Sequence, residues 1–227
     1  MHLKTKGNIM SATSVCDAIG KTHELLLVLK KAGFDDELIQ QVVNSKGNKH
    51  AKAMYSAVAG GAQVDDRFEL VNTFSIVVPQ GYDHATRLDS FSKEHRKEFY
   101  YYNDAITDKN YAKATTKLEP GRKFKVKVFQ IKERVTSEDC MAHLRSQKAV
   151  LVGAQGASLA YEQSKDQLPV SRWSVSFDEK DSLWTDADGD HRVPDLDRDS
   201  DGVFEFNLGV FEIDWNGDYC LLCFCDE

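Results

Sequence analysis

The chain has 227 residues, of which 41% are hydrophobic and 10% are aromatic. This content is ample for a packed core, so a globally disordered chain is excluded, and the length fits one large domain or two small ones. The formal net charge is −7, and most of it comes from one aspartate-rich segment near the C-terminus. Because no general basic field remains elsewhere, the composition argues against nucleic acid as a partner.

The cysteines and the apolar runs indicate the compartment. The longest apolar run near the start, Leu25–Leu29, is too short for a membrane span or a secretion signal. The cysteines are odd in number and too sparse for a disulfide scaffold: Cys16, Cys140, Cys220, Cys223 and Cys225. The sequence therefore predicts a cytoplasmic protein with reduced thiols and no membrane partner. Met10 could be the initiator, so whether residues 1–9 are native stays open.

The N-terminal part has the apolar spacing of helices. This spacing predicts a helix over residues 12–33, a short one from Asp35, and a third over about 48–58 that Gly60 and Gly61 end. Residues 10–62 are therefore predicted to form an N-terminal helical segment. It either packs on the rest of the chain or forms an arm through which copies of the chain associate as a homo-oligomer.

Strand-like alternation dominates from residue 63 onward. The pattern predicts strands over residues 68–78, 98–102 and 124–128, and several short strands after Pro169. Helices are expected at about 84–91, from Thr136, and at 157–163. Residues 63–227 are thus predicted to form a sheet domain. The expected fold class is α+β, with N-terminal helices followed by a mixed, mostly antiparallel sheet with short C-terminal strands.

The C-terminal stretch carries a resemblance to known proteins. After the predicted strand at 124–131, it has Thr136-Ser-Glu-Asp-Cys140, His191-Arg-Val-Pro194 and Tyr219-Cys-Leu-Leu-Cys-Phe224. With these motifs it resembles a group of uncharacterised bacterial proteins of unknown function. More distantly, the order of its elements over about residues 122–227 resembles C-type-lectin-like domains. The resemblance implies such a fold and carries no function of its own, since the cysteine pairs of animal lectins are missing.

A run of aspartates is the segment of the chain whose composition most directly suggests a binding site. Seven aspartates fall between Asp186 and Asp201, where only two arginines offset them, so the segment has a formal charge of −5. Closely spaced carboxylates repel one another unless a cation, a basic partner or water relieves the repulsion. The predicted metal- or partner-facing residues are Asp186, Asp188, Asp190, Asp197, Asp199 and Asp201.

Calcium is the cofactor that this run could hold. In the template of the paired-helix calcium loop, a register that starts at Asp186 has the first three acids but lacks the glycine. A register that starts at Asp197 has the acids and the glycine but ends on Leu208 where the template requires an acid. Since the flanks are strand-like, two interpretations stay open. One is a looser calcium turn, and the other is two solvated acidic turns around a short Val193-Pro194 strand.

Two polar sets are candidates for catalysis. Asp83 and His84 begin a predicted short helix, and Cys140 and His143 are three residues apart on another, a spacing that could pair a thiol with a base. Neither set is accompanied by a nucleophile elbow, a phosphate loop or metal-ligand spacing. They support, as the alternative function, a small hydrolase-type enzyme that uses His84/Asp83 or Cys140/His143.

The C-terminal cysteines have a spacing that suggests metal binding, but their segment is as apolar as a buried strand. In a strand Cys223 and Cys225 share a face and Cys220 points the other way, so buried structural thiols are expected. In the aromatic run 99–102, the same alternation predicts Tyr100 and Tyr102 on one face, with one face in the core and the other a surface patch.

Taken together, these features favour a binding module over an enzyme. No complete catalytic constellation is visible, and one segment concentrates the negative charge. The sequence therefore predicts a non-catalytic binding or interaction module with an acidic face that binds a divalent cation, a small ligand or a basic protein surface.

Overall fold

The computed structural model describes Gln40 and residues 65–227. The chain separates into two units, residues 1–60 and 61–227, and the description below concerns the second. The predicted N-terminal helices, the question of Met10 and the association arm lie outside the described residues. In the part of the chain that is described, no helix has the length and apolar content needed to cross a membrane.

Strands dominate residues 65–227, and three α-helices lie among them. The helices are α1 (Arg87–His95), α2 (Ser137–Ser146) and α3 (Gly153–Ser164). The strands are β1 (Phe68–Val77), β2 (Phe99–Tyr102), β3 (Lys123–Ile131), β4 (Arg172–Val175), β5 (Trp184–Thr185), β6 (His191–Arg198), β7 (Phe204–Val210) and β8 (Tyr219–Asp226). The elements follow the predicted order, and most differ from the prediction by a few residues at their ends.

All described strands belong to one sheet. Seven of them follow the order β1-β3-β8-β4-β6-β7-β2, and β5 pairs with β6 off this path. The pairs β2–β7 and β4–β8 are parallel, and the others are antiparallel. The described part of the chain thus has the α+β class that the sequence predicts, with a mixed and mostly antiparallel sheet.

Helices cover the two faces of the sheet unequally. On one face, Phe91 of α1 packs edge-on against Tyr161 of α3 and Phe206 of β7, with ring centroids 5.7 and 6.0 Å apart. We call this the α1/α3 face. On the opposite face, which we call the α2 face, His143 of α2 stacks on Phe68 of β1 at 4.2 Å. Edge-to-face and stacked contacts of this kind make aromatic burial specific as well as apolar.

The start of α2 lies where the sequence places it. Thr136 Oγ1 accepts a hydrogen bond from the backbone N–H of Asp139 at 3.1 Å. In return, the Asp139 carboxylate accepts the backbone N–H of Thr136 at 3.1 Å. This reciprocal capping box satisfies two backbone donors that a helix start otherwise leaves free, so the local sequence is sufficient to begin the helix.

Two register shifts overturn the simple alternation predicted for β1 and β2. In β1 the pairing with β3 shifts between Leu70 and Asn72, and the apolar side chain of Leu70 is 52% exposed. In β2 the pairing with β7 shifts between Phe99 and Tyr101. The prediction that Tyr100 shares a face with Tyr102 is therefore wrong, because the extra residue at the bulge is Tyr100, which is 82% exposed.

Candidate functional site

The first third of the aspartate run forms the turn between β5 and β6. Asp186 Oδ1 accepts the backbone N–H groups of Asp188 and Asp190, both at 3.0 Å. Its other oxygen, Oδ2, accepts from Nε of Arg192 at 2.6 Å. The hydrogen bond from the guanidinium of Arg192 is also the main reason why the pKa of Asp186 is lowered. In this turn, one carboxylate therefore organises the backbone and is paired with a cation.

The second turn, between β6 and β7, is organised in the same way by Asp199. Its Oδ1 accepts the backbone N–H groups of Asp201 at 2.9 Å and Val203 at 2.8 Å. Gly202 has a φ of +81°, a left-handed conformation that glycine adopts without strain. An Asp-Gly pair is typical of such hairpin turns, and the carboxylate of Asp199 stabilises this one through its hydrogen bonds to the backbone.

The two turns lie at opposite ends of β6. This strand has eight residues, and at about 3.3 Å per residue it spans roughly 26 Å. One ion therefore cannot be shared between Asp186, Asp188 and Asp190 in the first turn and Asp199 and Asp201 in the second. Asp197 lies within β6 itself. Calcium binding at either turn stays a prediction.

The middle of the run belongs to a row of side chains that crosses five strands. Asp197 of β6 is paired with Trp173 of β4 and with Glu205 of β7. Trp173 is in turn paired with Tyr219 of β8, and Glu205 with Tyr101 of β2. Paired residues on neighbouring strands point to the same face. We call these five residues the acidic–aromatic row, and all five are exposed or half-buried.

Within residues 65–227, the two carboxylates in the row have no basic side chain as a partner. Burial raises the pKa of Asp197, and the charge of Asp199 raises it further. Burial also raises the pKa of Glu205, to which the charges of Asp197 and Asp199 add. A backbone hydrogen bond from Arg198 lowers the pKa of Asp197, but among residues 65–227 no Lys, Arg or His side chain acts on the pKa of either group. The pair thus differs from Asp186, because its repulsion is not relieved by a neighbouring cation.

Asp195 lies next to the row on the same face of β6 and is 2% exposed. Its Oδ1 has no hydrogen-bond partner among the described residues. Burial raises its pKa to about 8, a backbone hydrogen bond from Gly209 acts in the opposite direction, and the charges of Asp197 and Glu205 raise it further. At neutral pH the folded protein therefore holds this carboxyl mainly in the protonated, neutral form.

Trp215 forms the rigid wall beside Asp195. It is fully buried, and its Nε1 donates to Ser137 Oγ at 2.7 Å. A Cβ atom on Gly209 would lie 2.7 Å from Cη2 of this ring and 3.2 Å from Oδ2 of Asp195. The ring is also edge-on to Tyr219 of the row, with centroids 4.9 Å apart. Glycine at 209 is thus what allows the indole and the buried carboxyl to approach the same strand.

The structure does not join Asp83 to His84. Nδ1 of His84 accepts the backbone N–H of Leu118 at 3.2 Å, and burial lowers the pKa of this histidine. The Asp83 carboxylate instead accepts from the backbone of Ala85 at 3.1 Å and from Thr86 Oγ1 at 2.9 Å. Asp83 therefore caps a turn, and it does not orient the imidazole.

Cys140 and His143 are buried in an apolar environment. Burial raises the pKa of the Cys140 thiol, which holds it in the protonated form. Burial also lowers the pKa of His143 to about 4, and neither of its ring nitrogens has a hydrogen-bond partner among the described residues. A catalytic pair needs a hydrogen bond between nucleophile and base, and no such bond joins this thiol to this imidazole.

The C-terminal cysteines pair as the strand pattern predicts. The Sγ atoms of Cys223 and Cys225 are 3.7 Å apart on one face of β8, and Cys225 Sγ donates to the Gln147 carbonyl at 3.6 Å. Cys220 and Cys223 are buried, and Cys225 is half-buried. The hydrogen bond between the two thiols lowers the pKa of Cys225 and raises that of Cys223.

The sequence prediction missed Glu205, Asp195, Trp173 and Tyr219 as site residues. A signal for Glu205 was present, since a hairpin centred on Asp201 places residues 197 and 205 opposite each other. The link to Trp173 and Tyr219 depends on β4 and β8, which are distant in the chain. Local pattern cannot supply such a pairing.

Comparison of the chain with protein-family models, with curated proteins and with solved structures gave no match. The resemblance to C-type-lectin-like domains therefore stays a prediction. What identifies the candidate site is its own geometry. Two carboxylates lie between aromatic side chains, beside a buried carboxyl, and in the described part of the chain neither has a basic partner and one oxygen of the buried carboxyl has no hydrogen bond.

Proposed function

We propose that the protein is a non-catalytic binding module that holds a cationic group, a guanidinium or an ammonium, on the acidic–aromatic row. The observation that carries this proposal is the direct pairing of Asp197 with Glu205, on whose pKa values no basic side chain of residues 65–227 acts. A ligand that brings a positive charge to this pair relieves the repulsion between the two carboxylates. No side chain among the other described residues supplies that charge.

The spacing of the row suits a planar cation. Directly opposed residues of an antiparallel pair have Cβ atoms about 4.5–5.5 Å apart, so Asp197 and Glu205 can bind different nitrogens of one guanidinium. Neighbouring strands are about 4.8 Å apart, which puts Trp173 and Tyr101 within reach of the same ligand from either side. A cation over an aromatic ring contributes roughly 0.5–2 kcal/mol.

Asp195 adds a group that discriminates between ligands. Its unpartnered Oδ1 lies on the same strand face as Asp197, and a buried polar atom without a partner costs free energy. Asp195 is 2% exposed, so a second polar group of the ligand would recover that cost only by displacing the side chains that cover this oxygen. The module is therefore proposed to bind a cationic group that carries a further hydrogen-bonding group, as the side chain and backbone of an arginine or lysine residue do.

Calorimetric titration with short peptides tests the proposal. We expect a peptide with two arginines to bind, an acidic peptide of the same length not to bind, and a lysine peptide to bind more weakly, because ammonium cannot make the bidentate contact. Asp197→Asn and Glu205→Gln should each weaken binding at least about fivefold. Asp188→Asn is the matched control, since it removes one charge from the same run at an exposed turn position.

The outcomes separate this proposal from its alternatives. Absence of heat with every cationic peptide would exclude it, as would equal weakening in the row variants and in Asp188→Asn. A titration with calcium chloride examines the calcium interpretation of the two turns in parallel. Binding of calcium that Asp197→Asn does not affect, without binding of the peptides, would favour that interpretation over the row.

A further inference from the structure

A second group of ligating side chains lies on the α1/α3 face, where the end of α1 meets α3. His95 Nε2 is 3.9 Å from an oxygen of Glu94 and 3.6 Å from Oε1 of Glu162. One ligand atom from each of the three residues lies within 4.8 Å of the others. Among the described residues, no other set of three or more His, Cys, Asp or Glu is grouped so closely. We call this set the Glu94–His95–Glu162 cluster.

The histidine of the cluster is oriented by a fourth residue. Nδ1 of His95 is 2.8 Å from Oε1 of Glu98, and a carboxylate can only accept in this bond, so Nδ1 carries the proton. When the imidazole is neutral, its Nε2 then presents a lone pair toward Glu94 and Glu162. A carboxylate that holds one ring nitrogen so that the other can bind metal is the usual second-shell arrangement at histidine metal ligands.

The charges of the bonded groups do not balance. Arg87 donates to Oε2 of Glu162 at 3.0 Å, and Lys165 donates to Glu98 at 3.1 Å. The third carboxylate, Glu94, forms an ion-pair contact only with His95 among the described residues. Two cations therefore lie beside three carboxylates. One negative charge is left, and it lies on the side of the cluster toward which Nε2 points. Oε1 of Glu162 is the oxygen that Arg87 uses less, at 3.5 Å.

We propose that the Glu94–His95–Glu162 cluster is a zinc site that joins α1 to α3. Zinc binds histidine nitrogen and carboxylate oxygen at about 2.0–2.2 Å in tetrahedral geometry, which separates neighbouring ligand atoms by roughly 3.4 Å. The contacts of 3.6 and 3.9 Å to His95 Nε2 are only slightly wider than this. Three protein ligands leave the fourth position to water. The inference is independent of the acidic–aromatic row, which lies on another part of the sheet.

The rigid setting supports this proposal. Glu94 and His95 are at the end of α1, whose Phe91 packs on Tyr161 of α3, and Tyr161 directly precedes Glu162. Tyr161 also donates to Glu98 at 3.1 Å, so the orienting carboxylate is itself held. Ligands on packed helices need little rearrangement to close around an ion, and the bound ion should stabilise the folded protein by mass action.

Zinc titration of the chelator-treated full chain tests the proposal, with calorimetry and the melting temperature as readouts. We expect one zinc site and a rise in melting temperature. His95→Gln and Glu94→Gln should each weaken zinc binding at least about tenfold, and Glu98→Gln by about tenfold through loss of orientation. Glu94→Gln is the safest variant for folding, because Glu94 is exposed.

Two controls locate the ion. His191→Gln is matched to His95→Gln, because His191 Nδ1 is also held by a carboxylate, Glu212, at 2.7 Å but lies in no three-ligand cluster of the described part. Cys225→Ser removes the most accessible C-terminal thiol. Both should leave zinc affinity unchanged. Absence of zinc binding would overturn the proposal and leave the cluster as a network of ion pairs and hydrogen bonds. Zinc binding that is lost in Cys225→Ser but kept in His95→Gln would overturn it too.

Discussion

Asp197 and Glu205 are directly opposed on β6 and β7, and the charge of Asp197 raises the pKa of Glu205. Like charges at directly opposed strand positions destabilise a sheet by some tenths of a kcal/mol up to about 1 kcal/mol. This destabilising repulsion is located on an accessible face of the sheet, between Trp173 and Tyr101. A stability cost located at a surface site is what ligand binding would offset.

Removal of one charge from this pair should stabilise the free protein. We expect Asp197→Asn and Glu205→Gln to raise the free energy of unfolding at pH 7 by roughly 0.5 kcal/mol, a value reduced by solvent screening at this half-exposed position. Urea denaturation measures the effect. Glu69→Gln is the comparison, since Glu69 is ion-paired with Lys132 at 2.6 Å and its loss should give no gain. A loss of stability in both row variants would contradict the repulsion argument.

Asp195→Asn should change how stability depends on pH. The pKa of Asp195 is about 8 in the folded protein, against an ordinary value of 3.8, so between these values the folded state binds more protons than the unfolded state. Stability contributed by this group therefore falls as pH rises from about 4 to 8, with a slope of at most about 1.4 kcal/mol per pH unit, and levels off above.

The asparagine variant lacks this titration. Urea denaturation of both proteins between pH 5 and 9 should show wild-type stability falling relative to Asp195→Asn up to pH 8. Parallel curves over this range would mean that the Asp195 carboxyl is already ionised in the folded protein at neutral pH.

His143→Leu should remove an acid sensitivity. Burial between Phe68 and Phe129 lowers the pKa of His143 from 6.5 to about 4, so the unfolded state binds more protons between these values. Because the folded protein holds His143 in its neutral form, this group's contribution to the free energy of unfolding is at its maximum above about pH 6.5. That contribution is lost as the pH falls toward 4. Leucine has no charge to gain and no unpaired nitrogen, so the variant should be at least as stable at pH 7 and less sensitive to acid.

Denaturation of His143→Leu at pH 7 and pH 5 measures this difference. His84→Gln is a useful comparison, because the Leu118 N–H bond of His84 is lost in it while His143 is retained. An acid sensitivity that persists unchanged in His143→Leu would assign it to other groups.

Gly209→Ala should destabilise the wall beside Asp195. The added Cβ would lie 2.7 Å from the buried Trp215 ring, closer than atoms can pack, so the indole or strand β7 must move. Overpacking of this kind costs roughly 1–3 kcal/mol. Gly189→Ala is the control for space, because a Cβ at Gly189 would meet nothing within 4 Å, although its φ of +91° adds strain of its own.

Thermal denaturation and tryptophan fluorescence measure the effect of Gly209→Ala. The emission of the buried Trp215 should change in this variant and not in Gly189→Ala. An unchanged emission spectrum with full stability would show that β7 has room for the methyl group.

Local sequence determined much of this protein by itself. The alternation of β3 and β7, the continuous apolar run of β8, the capping box at Thr136 and the turn at Asp201-Gly202 depend on neighbours within a few residues, so they can be recognised in the chain. The same holds for the position of the aspartate run and for the shared face of Cys223 and Cys225.

Tertiary structure decided the rest, because strand order and register depend on contacts between distant segments. The bulge at Tyr100 reversed the predicted faces of β2, and the length of β6 separated the two acidic turns. The antiparallel pairing of β4 with β6 puts Trp173 beside Asp197, and the parallel pairing of β4 with β8 puts Tyr219 next to Trp173. Likewise, only the packing of α1 on α3 brings Glu162 to His95. Charge and turn chemistry are local properties, whereas the side chains that surround a carboxylate are determined by the fold.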